Sequence, residues 1–502
     1  MAQGVLGFQY EAEPSKSDLT GFAGLPIYLE LIKLTGLAGS IRRYVKVAGR
    51  QGWLDVQMIV ALLSLNLCGG DRVEDLERLE KDQGFSKVVR RVEGALLSRR
   101  ERRSLGGRFR RGRRRGLPSA SALSAWLERF HDEAEEDKRV SGTAFIPGSK
   151  DGLRGLWQVN RDLVSFLQSH RREVTATLDQ DATLVETHKR QAAYCYKKFK
   201  AYQPLNTWWA EQGVFLHSEF RDGNVPAGHQ QLRVLKEALS CLPASVSKVY
   251  LRSDTASYQQ DLLLYCGEGE NERFGVIEFA VGADVTQEFR RAVLAMPAAA
   301  WQPLPRRFEG ELQETGQEWA EVCYVPNWAG HSRKRADYRF LAIREPLEQL
   351  DLGDGDQLPF PSEDFAGKGR YKLFGVVTNR RLPGDEVIWW YRERCGKSEE
   401  AHAVQKDDLA GGTLPSGRFG ANAAWWAIMG LAHNLNAVMK RLVLGPQWVA
   451  RRMKSLRFAL IGLPGRVIER SRRLIIRLPA DHPGLDLVLG ARRTILALAR
   501  AP

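Results

Sequence analysis

No stretch of this sequence is apolar for the roughly 20 residues that a membrane-crossing helix requires. The most apolar segments, Met58–Cys68 and Trp425–Met439, are short and carry Ser, Asn or His. The opening residues Met1 to Ser15 lack the apolar run of a secretory signal, so no export is expected. Cysteine is scarce and dispersed: Cys68, Cys195, Cys241, Cys266, Cys323 and Cys395 include no C-x-x-C pair. That argues against the common zinc and dithiol patterns and fits reduced thiols in the cytosol. His188, His402 and His433 do not have zinc spacing, and no glycine-rich phosphate loop or Ser-His-Asp arrangement can be inferred. Internal repeats are missing, and the only low-complexity segment is one arginine block.

What remains is a long, basic, foldable chain. Its 502 residues suggest several modules, and 43% hydrophobic residues supply material for real cores. The 13 tryptophans read mainly as core and sheet residues. Lys plus Arg minus Asp plus Glu is 74 − 60 = +14. That sign points to a polyanionic partner, nucleic acid before an anionic membrane surface. Residues 441–502 carry 13 Lys or Arg against Glu469, Asp481 and Asp486, a net of 13 − 3 = +10. Ser98 to Gly116 is denser still: ten arginines, including Arg110, Arg111, Arg113 and Arg114, face one acid, Glu101. Such a block repels itself, and a loop or phosphate-contacting arm is expected.

Residues 1–97 read as a helical region, with 98–118 the Arg-rich arm and 119–172 a helical connector. From Val174 the texture is α/β. Val174–Leu178, Gly213–Phe220, Lys248–Leu251 and Phe274–Val281 are strand-like, and His229–Leu242 and Ser257–Cys266 are helical. This predicts a mixed sheet with packed helices: a first core part over 173–299, a β-rich insertion over 300–380, and a second core part over 381–440. Helix is expected from Glu386 onward, to the end of the basic region 441–502.

Three acids sit where chemistry would want them. Asp181 and Asp254 follow strands, where α/β sites collect, and Glu399 lies on the helical stretch Glu386–Leu409. Carboxylates from distant segments form a hard oxygen site suited to Mg²⁺ or Mn²⁺. Asp222 and Asp284 read as turn or cap residues, and Cys395 as buried. Tyr391 and Arg394 are three apart, and Glu399 and Lys406 seven, so each pair would share a helix face.

The pattern Tyr-x₂-Arg followed by Glu-x₆-Lys resembles the Y-R-E-K signature of DDE transposases from bacterial insertion sequences. Asp181-Ala182-Thr183 is similar to their first catalytic strand, and Arg252-Ser253-Asp254-Thr255 to their second Asp segment. Phe220-Arg221-Asp222-Gly223-Asn224 and Leu431-Ala432-His433-Asn434-Leu435 also match. The resemblance spans about residues 20–475. It implies a ribonuclease-H-like core with a β-rich insertion, and metal-dependent cleavage and strand transfer in cut-and-paste transposition. Asp181, Asp254 and Glu399 would hold Mg²⁺ or Mn²⁺, and Tyr391, Arg394 and Lys406 would position phosphates. The implied partners are double-stranded DNA at terminal inverted repeats and a target, met by a homodimer on paired ends in a bacterial, nucleoid-associated setting. Hairpin ends would be the intermediate. Arg394 and Glu399 enclose four residues where the family has three, so Glu400 competes, although the gap to Lys406 favours Glu399. Asp179 competes with Asp181, which Thr183 favours. Two other readings stand beside this one: a non-catalytic DNA-binding descendant of a transposase, and a metal-dependent nuclease on the same core.

Overall fold

The computed structural model describes residues 18–109, 112–113, 115–140, 142–308, 311–326, 338–347, 361–365 and 369–500. The chain divides into two compact units. One comprises residues 133–148 and 164–403, and the other 1–132, 149–163 and 404–502. The observed division therefore falls inside the expected helical connector and second core part.

The first unit is built on a ten-stranded mixed sheet. Its strands are β1 (Thr175–Ala182), β2 (Leu205–Trp209), β3 (Val214–Glu219), β4 (Lys248–Ser253) and β5 (Glu278–Ala283), then β6 (Gln302–Pro303), β7 (Glu318–Val322), β8 (Arg339–Pro346), β9 (Ser362–Phe365) and β10 (Gly369–Thr378). The order is β3-β2-β1-β4-β5-β10-β8-β7-β6, with β9 also paired to β10. β1, β2 and β3 pair antiparallel, whereas β4 and β5 run parallel to β1. From β10 outward every pairing is antiparallel, and β6 to β10 extend the same sheet.

Helices α1 (Gln231–Cys241) and α2 (Gln260–Gly267) supply the crossovers into β4 and β5, as parallel strands require. α3 (Gln287–Leu294) starts at Thr286, whose hydroxyl accepts the Phe289 N–H. α4 (Gly384–Arg392) and α5 (Arg394–Ala403) follow β10. Ala280, Leu341, Ile343, Val376, Val387 and Ile388 form one core cluster joining α4 to the sheet.

The other unit is mainly helical. Helix Phe419–Val438 is apolar nearly all round and packs on Asp55–Cys68, itself buried along its length. The polar groups that this core takes in are paired. Tyr28 Oη donates to Asn436 Oδ1 at 2.7 Å, Asn434 Nδ2 to Asn160 Oδ1 at 2.7 Å, and Trp126 Nε1 to Asp55 Oδ1 at 2.8 Å. Asn434 of the late sequence motif is thus a core residue. Among the described residues no single helix is long and apolar enough to cross a membrane.

Two expectations fail here. Arg99–Arg108 is helical, not a loop, because Ser98 and Glu101 form a capping box, with Ser98 Oγ accepting the Glu101 N–H and Glu101 accepting the Ser98 N–H. The Arg42 guanidinium lies 3.5 Å from Glu101, and Arg102 reaches back to the Leu97 carbonyl at 3.2 Å. The C-terminal region is not all helix either. Gly465–Arg470 and Arg473–Arg477 form a hairpin that joins Leu19–Thr20 in a three-stranded sheet.

Candidate active site

β1 and β4 run side by side with Gln180 opposite Ser253. Asp181, the penultimate residue of β1, and Asp254, just past β4, therefore lie at the same end of two adjacent parallel strands. Side chains alternate along a strand, which puts Asp179 and Asp181 on one face and Gln180 on the other. On its face Gln180 donates to the Gln231 carbonyl of α1 at 3.0 Å. On the opposite face Asp179 grips Arg252 in a two-pronged pair at 2.6 and 2.9 Å, both side chains fully buried. Arg252 also donates to the Trp390 carbonyl of α4 at 2.8 Å and to Glu393 at 3.1 Å. Burial pushes the Asp179 carboxyl above its ordinary value, with Arg252 pulling against it.

Asp179 is thus consumed in holding α4 to the sheet. Asp179→Ala should cost about 3–5 kcal/mol of folding stability, because it strands a buried guanidinium. Chemical denaturation measures this, and an unchanged midpoint would remove that role.

Asp181 faces a different partner. Arg394 Nη1 lies 3.2 Å from Asp181 Oδ2. Its Nε is buried and has no hydrogen-bond partner among the described residues. Asp254 accepts the Ala256 N–H at 3.0 Å, which fixes its carboxylate at the start of a short 3₁₀ turn. Burial pushes the Asp254 carboxyl up, while the nearby Arg394 charge and that backbone bond pull it down. For Arg394, burial works against the charge, but Asp181, Tyr391, Cys395 and Asp254 outweigh it and hold the guanidinium protonated more firmly than usual. Tyr391 lies beneath, its ring centroid 5.8 Å from Arg394 Cζ. Burial raises its phenol, with Arg394 opposing. Gly282 of β5 makes room for it, since a Cβ there would stand 3.0 Å from Tyr391 Oη.

Glu399 is not gathered with these groups. The expected continuous helix from 386 to 409 breaks at Cys395 (ψ 130°) and Gly396 (φ 90°, ψ −44°), a conformation open to glycine. Glu399, three residues past the break, is exposed. Among the described residues no group of three or more His, Cys, Asp and Glu is close enough to hold a metal. Lys406 falls in the helical turn Val404–Asp408, part of the other compact unit. No single helix therefore carries all four signature residues. The same break exposes Cys395, correcting its expected burial.

Arg110, Arg111 and Arg114 lie outside the described residues. Arg113 Nη1 donates to both carboxylate oxygens of Glu93, at 2.7 and 2.8 Å, and the guanidinium rests 4.7 Å over the Trp53 ring. The structure thus brings Asp181, Asp254, Tyr391 and Arg394 together. Two half-buried carboxylates at neighbouring strand ends are of the type that suits a hard divalent cation, and they are two of the three acids that the sequence singled out.

A model of the family described as transposase DDE domain group 1 matches residues 15–500. The chain belongs to that family. Nothing among the curated proteins matches it. Among solved structures, a piggyBac transposase in a synaptic complex with hairpin DNA matches at 11% identity and a TM-score of 0.38, over 88% of this chain and 78% of that one.

Some of the transposase's site was not expected from its sequence. The Asp179–Arg252 pair is one case, although Arg252 stands two residues before Asp254 and its strand position could have signalled a shared face. Arg380 is another: its guanidinium lies 4.1 Å over Trp390 and 4.6 Å over Tyr250, linking α4 to β4.

Proposed function

We propose that this transposase moves an insertion sequence by cut-and-paste, cleaving DNA at terminal inverted repeats and joining the ends to a target. The observation that carries this reading is the carboxylate pair Asp181 and Asp254 on adjacent parallel strand ends, with Arg394 bound to the first and electrostatically coupled to the second. A ribonuclease-H-like core is supported by the order of the first five strands, three antiparallel and then two parallel to the first.

In this reading Asp181 and Asp254 hold Mg²⁺ or Mn²⁺, and Glu399 completes the ligand set. The bound ions would activate a water or 3′-hydroxyl and neutralise the leaving oxygen. The chain's own cations do the positioning. Arg394 supplies a guanidinium charge beside the carboxylates, Tyr391 offers a hydroxyl close by, and Lys406 supplies a point charge. Exposed Arg99, Arg100 and Arg103, on the Arg-rich helix, provide sequence-independent affinity together with the basic C-terminal region. Two copies on paired ends, with hairpin ends as the intermediate, fit a nucleoid-associated enzyme in a bacterial cytoplasm.

The test is direct. The full chain is incubated with Mg²⁺ and a duplex bearing candidate ends, and the cuts are mapped. Breaks confined to those ends, followed by joined product, are expected. Scattered nicks without joining would favour a bare nuclease, and binding without cutting a non-catalytic protein.

A further inference from the structure

Between Asp181 and β2 the chain makes a hairpin that the reaction as described does not use. Val185–Glu186 pairs antiparallel with Ala201–Tyr202, and Tyr194 bridges Lys200 further out. Cys195 N–H donates to the Phe199 carbonyl at 2.8 Å, and Lys198 N–H to the Cys195 carbonyl at 2.9 Å, closing a tight tip over Tyr196, Lys197 and Lys198. Alternation turns Cys195 inward and its neighbours outward: Cys195 is buried, whereas Tyr194 is 64% and Tyr196 72% exposed. A lysine ammonium stands 5.8 Å over each ring, Lys200 at Tyr194 and Lys197 at Tyr196. From His188 to Lys200 there are five Lys or Arg and no acid.

The hairpin is seated with care. A Cβ on Gly223 would fall 2.5 Å from the Ala201 carbonyl oxygen and 3.1 Å from that of Ala193, so only glycine lets the hairpin settle there. Phe220 packs on Tyr202 with ring centroids 4.8 Å apart, the Arg221 carbonyl accepts the Gln203 N–H at 2.8 Å, and Asp222 is tied to Arg139. The motif Phe220–Asn224 therefore serves as the platform of this hairpin.

We propose that the hairpin 185–202 binds an unpaired stretch of DNA strand at the element's end, with Tyr194 and Tyr196 stacking on bases and Lys197, Lys198 and Lys200 following the phosphates. The assignment rests on the transposase reading and deepens it. Exposed aromatic rings interleaved with cations match single-stranded nucleic acid, where each base offers a π-face and each linkage a charge. Paired bases in a duplex would leave both rings without a task. The hairpin leaves the same strand end that carries Asp181, so a strand lying along it comes from the side where cleavage is proposed.

The experiment uses the full chain and two fluorescent DNAs of one sequence, one blunt and one with a few unpaired bases at its end. Binding is read by anisotropy, and stacking by 2-aminopurine placed among the unpaired bases. The parent should prefer the open end and quench the 2-aminopurine. Y194A/Y196A should lose about tenfold or more of that preference, along with the quenching, while its affinity for blunt duplex and its thermal midpoint stay put. Y194F/Y196F should retain both. K197A/K198A should weaken both DNAs and lower the slope of log K against log salt. Preference and quenching that survive in Y194A/Y196A would overturn the hairpin assignment and leave the transposase reading standing. Equal binding by the hairpin to anionic lipid vesicles, lost in the same variant, would overturn it in favour of a membrane. A parent that binds neither DNA overturns both readings.

Discussion

Asp181→Asn and Asp254→Asn should each abolish DNA cleavage while leaving affinity for end-bearing duplex within a few-fold of the parent. The separation follows from where the two properties reside. In the proposed reading, affinity comes mainly from Lys and Arg contacts to phosphate, spread over a chain of net charge +14. Chemistry is assigned, in the same proposal, to two carboxylates at neighbouring strand ends. Asn is the right replacement because both acids also have local duties: Asp254 accepts the Ala256 N–H, and Asp181 accepts from Arg394. An amide oxygen can keep either bond, so lost cleavage would report the missing charge and not a disturbed turn. Glu399→Ala should match them in cleavage. Because Glu399 is exposed, its thermal midpoint should stay at the parent value. Gel mapping of cuts with Mg²⁺, beside anisotropy binding without it, checks all three. Normal cutting by Asp254→Asn would sink the carboxylate assignment. An active Glu399→Ala beside a dead Glu400→Ala would move the third ligand by one residue.

The two aspartates were legible because each ends a short apolar run, Val174–Leu178 or Lys248–Leu251, and strand ends gather sites. The neighbouring strand Leu205–Trp209 was not legible. It is buried on both faces, so it has no alternation, and its polar members are satisfied only by distant partners: Asn206 pairs with His402 at 3.1 Å and Thr207 with Gln180 at 3.2 Å. The C-terminal hairpin was hidden by its turn. Ser471 and Arg472 both take positive φ, 51° and 64°, without the Gly or Asn that usually marks such a turn. The Arg block misled in the opposite way. Its charge density suggested a loop, while Ser98 and Glu101, three residues apart, carried the capping signal that starts the helix. At the site, the spacing of Tyr391, Arg394, Glu399 and Lys406 suggested helical faces, yet Gly396 stood among them as a visible breaker. Local glycine chemistry won over periodicity, and that is why the third acid stands apart from the other two.

Arg394→Ala should lower the rate of every cutting step by about 10²-fold or more, the cost of removing one preorganised donor to developing charge. One edge of this guanidinium faces Asp181, and its charge stands beside both carboxylates. In the proposed reading its removal takes away a phosphate contact and also the positive charge that offsets two half-buried carboxylates. The two losses have opposite signs for a bound cation. Without Arg394 the carboxylates present a more negative potential to Mg²⁺ or Mn²⁺, so metal affinity should be kept or rise even as cutting fails. Arg394→Lys keeps the charge but loses the planar fork, so it should restore the parent's metal affinity and only part of the rate. Titration calorimetry with Mn²⁺ reads the first property. Nicking, second-strand cutting and joining, timed separately on a labelled end, read the second. Accumulation of uncut or singly nicked ends is expected. Parent rates at all three steps in Arg394→Ala would reduce this residue to a structural counter-ion of Asp181. A fall in metal affinity would show instead that it holds the carboxylates in place.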